Sequence, residues 1–221
     1  MQTNPIRPTT DRKLCRGLLA AVGLAALLPV ATAVAADGSA PRAVVDQTGQ
    51  AVIAILKDKA IPKDQKRVKI EDVVAEHFDF DTLSKLVLAR NWKKLTPQQQ
   101  KEFVREFRTH LSVTYGKNIE SYNDEKLVIT GDREEKRGDW VVKSIIDRTT
   151  GEDIKVDYRL RQKDGKWMMI DVIVEGVSLV ANFRSQFQDI VSKQGPEKLI
   201  EILHEKNQRG EEFQTEKKAP A

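Results

Sequence analysis

The chain has 221 residues, with 37 Lys and Arg against 33 Asp and Glu and a formal charge of +4. Four of the basic residues (Arg7, Arg12, Lys13 and Arg16) and one acidic residue (Asp11) precede residue 36, so residues 36–221 hold 33 basic and 32 acidic side chains, a net of +1. That balance argues against a nucleic-acid partner, which needs a concentrated basic excess, and the single cysteine, Cys15, excludes a disulfide framework.

The N-terminal basic cluster is followed by an apolar, uncharged run over 17–30 and then by Ala33-Val34-Ala35, the small-residue pattern of a cleavage site. Residues 1–35 are therefore expected to be a signal peptide cut before Ala36. Cys15 stands ahead of the apolar run, where a lipidated cysteine would not be. The run is also shorter than the ~20 residues that a membrane span requires.

Beyond the leader, Val44, Val45, Val52, Ile55 and Leu56 recur at helical spacing over 41–58. A charged turn around 62–66 precedes a second helix marked by Val73, Val74 and Phe78, and Leu83, Leu86 and Val87 mark a third. Thr96-Pro97-Gln98-Gln99 is a helix start: Thr96 can cap, Pro97 suits the first helical position and Gln99 can close a capping box. The helix it opens carries Phe103, Phe107, Leu111 and Tyr115 on one stripe and runs to about Ile119.

Four strands follow at 126–130, 139–147, 153–162 and 166–174, separated by charged or Gly-containing links whose shortness favours antiparallel neighbours. In the third, Ile154, Val156, Tyr158 and Leu160 alternate with Lys155, Asp157, Arg159 and Arg161, which demands one covered and one wet face. At Gly176 the period-2 pattern stops, and helical spacing resumes from Ser178. The last strand is thus expected to lead straight into a helix from Leu179 to about Val191. A Gly195-Pro196 break and a final helix to about Lys206 complete a domain over 36–207, with 208–221 expected to be a disordered tail. The fold class is α+β: a twisted antiparallel four-stranded sheet covered by N- and C-terminal helices.

Catalytic signatures are missing: there is no nucleophile elbow, no phosphate loop and no cysteine beyond the leader. His77, Asp79 and Asp81 lack the spacing of a metal site and read as capping or surface groups. Asp171 interrupts an apolar strand, and pairing with a basic residue on a neighbouring strand accounts for it. The apolar residues Phe107, Leu111, Tyr115, Val142, Ile146, Tyr158, Val172 and Val174 suit either a close-packed core or a greasy pocket, two readings that differ only in volume.

Glu175-Gly176-Val177-Ser178-Leu179-Val180 and Asn182-Phe183-Arg184-Ser185-Gln186-Phe187 combine with several earlier features. These are Phe78-Asp79-Phe80 ahead of Leu83, Asn91-Trp92 before Thr96-Pro97-Gln98-Gln99, Trp140-Val141-Val142, and Tyr158 with Trp167. In this order, over about 44–203, they resemble the periplasmic phospholipid-binding component of the Mla lipid-asymmetry pathway, the toluene-tolerance auxiliary family of ABC transporters.

The resemblance implies a periplasmic, monomeric carrier with no catalytic residue, no metal and no cofactor, whose cargo is a phospholipid held in an apolar pocket. It implies tail contacts from Phe107, Leu111, Tyr115, Val142, Ile146, Tyr158, Val172, Val174, Leu179 and Phe183. Its implied partners are an inner-membrane lipid ABC transporter complex and an outer-membrane lipoprotein–porin complex. Arg90, Lys93 and Lys94, which flank Trp92 in an expected exposed loop, are assigned to headgroup or partner docking. A secreted α+β enzyme with a polar pocket and a non-catalytic envelope adaptor are the rival readings.

Overall fold

A computed structural model describes residues 38–116 and 122–213. The expected leader, residues 117–121, where the fourth helix was expected to end, and the last eight residues lie outside them. Helices α1 (Ser39–Lys57), α2 (Lys63–His77) and α3 (Phe80–Leu88), a 3-10 helix (Ala89–Lys94) and α4 (Pro97–Gly116) precede the sheet. Strands β1 (Lys126–Glu134), β2 (Trp140–Asp147), β3 (Ile154–Lys163), β4 (Lys166–Val174) and β5 (Val177–Ser178) then lead into α5 (Leu179–Gln194) and α6 (Pro196–Arg209). The capping box forms as the sequence predicts: Thr96 N–H donates to Gln99 Oε1 at 2.9 Å and Gln99 N–H to Thr96 Oγ1 at 3.3 Å. Helix α2 starts at Lys63, inside the segment expected to be a charged turn, because Pro62 sits ahead of a helix whose apolar residues follow no clear stripe.

The sheet is antiparallel in the order β1-β2-β3-β4-β5 and has five strands, not four. The added strand arises at Glu175-Gly176, where φ values of +49° and +79° make a two-residue hairpin turn that pairs Val174 with Val177. The chain therefore doubles back once before entering α5, where a direct strand-to-helix passage was expected.

A bulge in β4 governs which side chains share a face. Arg159 pairs with Asp171 but Leu160 with Met169, leaving Ile170 as the extra residue. Strict alternation would put Asp171 on the face of Met169; the bulge turns it to the opposite face and brings Val172 beside Tyr158 instead. Asp171 is buried and accepts from Ser178 Oγ at 2.6 Å and Val180 N–H at 3.0 Å, so it holds the start of α5 to the sheet. Its expected partner is thereby corrected: these hydrogen-bond donors come from the helix start, while Arg159 pairs with Glu135 at 3.3 Å.

Two apolar cores result. The helical core centres on Phe103, Phe107, Phe183 and Phe187, whose ring centroids lie 5.1–6.3 Å apart. The second, of Val45, Leu127, Trp140, Val142, Leu160 and Met169, joins α1 to the sheet. Order continues past residue 208: α6 ends at the left-handed Gly210, and Phe213 packs on His110 and Phe187 at 5.0 and 5.1 Å.

His110 is fully buried, with Nδ1 3.1 Å from Asn207 Oδ1. Burial, helped by the charge of Lys206, holds its pKa below the usual 6.5 against the opposing effect of the Asn207 contact. The unfolded chain therefore takes up a proton below pH 6.5 that the folded chain resists, so this contribution is complete above pH 6.5 and drains away as the pH falls through that value. Burial acts to raise the pKa of Glu106, but hydrogen bonds from Asn207, His204 and Arg105 outweigh it and hold the group below its usual 4.5, so its contribution is lost only in stronger acid. Denaturant unfolding between pH 7.5 and 5 should show stability falling with pH, and His110→Gln should flatten that slope.

Candidate functional site

Between α1 and the sheet lies a cavity of about 610 Å³, lined by Val45, Val52, Ile53 and Leu56 of α1 and by Leu127, Ile146, Ile154, Tyr158 and Met169 of the strands. Small residues on the helix face shape it. Thr48 turns its hydroxyl back to Val44 O at 2.7 Å, and a Cβ on Gly49 would stand 2.2 Å from Leu127 Cδ2. The helix therefore comes close to β1 at Gly49, beside the cavity, and is also tied to it by Arg42 and Asp132 at 3.1 Å. Burial pushes the Tyr158 phenol up to about 12, so this polar group of the wall stays neutral at physiological pH.

A second cavity of about 530 Å³ lies between α2 and α4, lined by Ile70, Leu83, Leu111, Tyr115, Val172 and Leu179. Val74 and Phe78 line both cavities, so the two abut at the end of α2. Arg67, Arg105, Arg108, Glu71 and Ser112 also line the second cavity. Glu71 Oε1 accepts from Arg67 Nε at 3.1 Å and from the Ser112 hydroxyl. The first cavity has Glu125, Lys126 and Arg148 in its lining.

Of the residues assigned to tail contacts, Ile146 and Tyr158 line the first cavity, and Leu111, Tyr115, Val172 and Leu179 the second. Phe107 and Phe183 line neither, because they are spent in the helical core, and Val142 lies fully buried in the sheet core. Val174 is exposed beside the β4–β5 turn. Arg90, Lys93 and Lys94 are exposed, on a 3-10 helix and not in an irregular loop, with the ring of Trp92 packed on the helical core. Arg90 lines a hollow of about 290 Å³ against α5 that shares no residue with the large cavities.

The walls that sequence reasoning missed are those of α1 and α2. The apolar stripe of α1 was visible, whereas its small residues Thr48 and Gly49 carry no periodic signal. Elsewhere, Asp79 caps α3 by accepting from Thr82 N–H at 3.0 Å. Among the described residues no group of three His, Cys, Asp or Glu could hold a metal ion.

Fold and site together define an α+β protein whose helices hold open two adjoining apolar cavities against an antiparallel sheet. Residues 46–205 match the family described as MlaC protein, and the chain belongs to that family. It is 27% identical over 118 residues to the toluene tolerance protein ttg2D of Pseudomonas putida, a match that spans 53% of this chain and 55% of that relative, about half of its length. A phospholipid-binding protein from Ralstonia solanacearum, solved in complex with a phospholipid, superposes with a TM-score of 0.70 at 25% identity, covering 76% of this chain and 97% of that one.

Each cavity can be filled separately. Ile53→Trp should reduce uptake of an apolar fluorescent dye by the first cavity and Leu111→Trp by the second. Dye stoichiometry and far-ultraviolet circular dichroism check this: the double variant should bind least dye while keeping its secondary structure.

Proposed function

We propose that this protein is a periplasmic, non-enzymatic carrier that holds a diacyl phospholipid by its tails and leaves the headgroup near solvent. Residues 1–35 are its cleaved leader, and it works as a monomer, moving lipid between an outer-membrane lipoprotein–porin complex and an inner-membrane lipid ABC transporter complex. The observation that carries this reading is the pair of abutting apolar cavities of about 610 and 530 Å³, in a fold like that of a phospholipid-bound relative.

The energetics suit a carrier. Each methylene is worth about 0.8 kcal/mol when removed from water, so acyl tails need a dry path. Transfer from bilayer to apolar cavity is nearly neutral in that contribution, and direction must come from the partners. An enzyme reading has less support, since the buried Asp171 and His110 are engaged in packing and hydrogen bonds. An adaptor with a filled core is hard to reconcile with the two cavities.

Protein purified without detergent should show phospholipid-sized adducts in native mass spectrometry. Val172→Asp should lose most of them, because an unpaired charge in an apolar wall costs several kcal/mol. A wild-type protein that arrives empty, or a folded Val172→Asp variant that stays loaded, contradicts the reading.

Docking is assigned to Arg90, Lys93 and Lys94, whose exposed charges sit on a short helix anchored by Trp92. Reversing Lys93 and Lys94 to Glu should slow lipid exchange with the membrane complexes, most clearly at low salt, and leave bound lipid unchanged. Exchange at wild-type rates would remove this surface from the mechanism.

A further inference from the structure

We propose that Arg108 recognises the phosphate of the cargo: its guanidinium, in the lining of the cavity between α2 and α4, pairs with the phosphodiester of a lipid whose tails lie inside. This rests on the carrier reading and names the chemical group that the protein selects.

The charged groups of this lining differ in how far they are already paired. Arg105 is matched by Glu106 at 3.1 Å and Glu102 at 3.5 Å. Arg67 spends its Nε on Glu71 at 3.1 Å. Arg108 has no carboxylate partner among the described residues; its one hydrogen bond is a long 3.5 Å contact to the Glu71 carbonyl. Three arginines of the lining thus stand beside one lining carboxylate, Glu71, and Arg108 is the one of the three without a carboxylate partner among the described residues, which leaves its charge for a lipid phosphate.

The Arg108 guanidinium lies 5.4 Å from the centroid of Phe80, and that ring lines the same cavity. Stacking on a fixed ring orients the planar fork while leaving its N–H groups available, and such a fork matches two phosphate oxygens at once. The first cavity also has a positive excess, Lys126 and Arg148 against Glu125. There, however, no ring contact or ion pair among the described residues orients the exposed Arg148 side chain, so ordering it around an anion costs more rotamer entropy.

The test offers delipidated protein an equimolar mixture of dioleoylphosphatidylglycerol and dioleoylglycerol, which share tails but not phosphate, and reads the bound ratio by native mass spectrometry. Wild type should favour the phosphate lipid by about tenfold or more, the scale of one charge-assisted contact. R108Q should bring the ratio near one by lowering uptake of the phosphate lipid, with uptake of dioleoylglycerol and, since Arg108 is exposed, thermal stability unchanged, and R148Q should keep the wild-type ratio. An R108Q variant that keeps the preference, or a loss seen in R148Q instead, overturns the assignment. Calorimetry with inorganic phosphate separates the two sources of this chemistry: Arg108-dependent binding of free phosphate with no Arg108 effect on the lipid ratio also overturns it. Wild-type protein that takes up neither lipid defeats the carrier reading itself.

Discussion

The N–H of Asp79 donates to Met169 O at 2.9 Å, tying the junction of α2 and α3 to β4 through an isolated bridge between Phe78 and Met169. The Asp79 carboxylate is buried and accepts from Thr82 N–H, from the Thr82 hydroxyl at 2.6 Å and from Lys163 Nζ at 2.9 Å. Burial pushes its pKa up, but these bonds outweigh the push and keep the group below its usual 3.8. The tie sets Phe78 between the two apolar cores, where it packs on both and lines both cavities. Were this junction free, α2 could settle onto the sheet and close the space.

Cavities of this size destabilise a protein unless the rest of the structure supports them, since lining atoms forgo dispersion contacts. Here two filled cores flank the empty space. The phenylalanine cluster binds α4 to α5, and α6 packs against both, while α1 is held to β1 and β2. Asp171 then couples the helical core to the sheet through the first turn of α5. The helices are thus fixed at both ends of the gap, and an apolar molecule placed inside it would restore contacts that the walls lack.

Polar groups are distributed accordingly. Buried ionisable groups such as Glu106, His110 and Asp171 are engaged in hydrogen bonds that join elements, whereas the arginines in the lining of the second cavity are exposed and one of them has no acidic partner among the described residues. That separation suits a protein that holds a molecule with an apolar body and an anionic head.

The sequence by itself determined the type and order of the six α-helices and of four of the five strands, because periodicities of 3.6 and 2 follow from which side chains must be dry. It also determined the start of α4, where Thr96, Pro97 and Gln99 satisfy backbone groups locally. Neither the bulge at Ile170 nor the short β5 was legible: both depend on which residue faces which across a strand pair, and Asp171 could be placed only once that register was known. The pocket shows the same limit. Leu111 and Leu179 line a void while Phe107 and Phe183, on the same two helices, fill a core. Residue type is alike in the two cases; the distance between the elements separates them, and that distance is set by remote ties such as Asp79 to Met169, so only the tertiary structure decides where the protein is hollow.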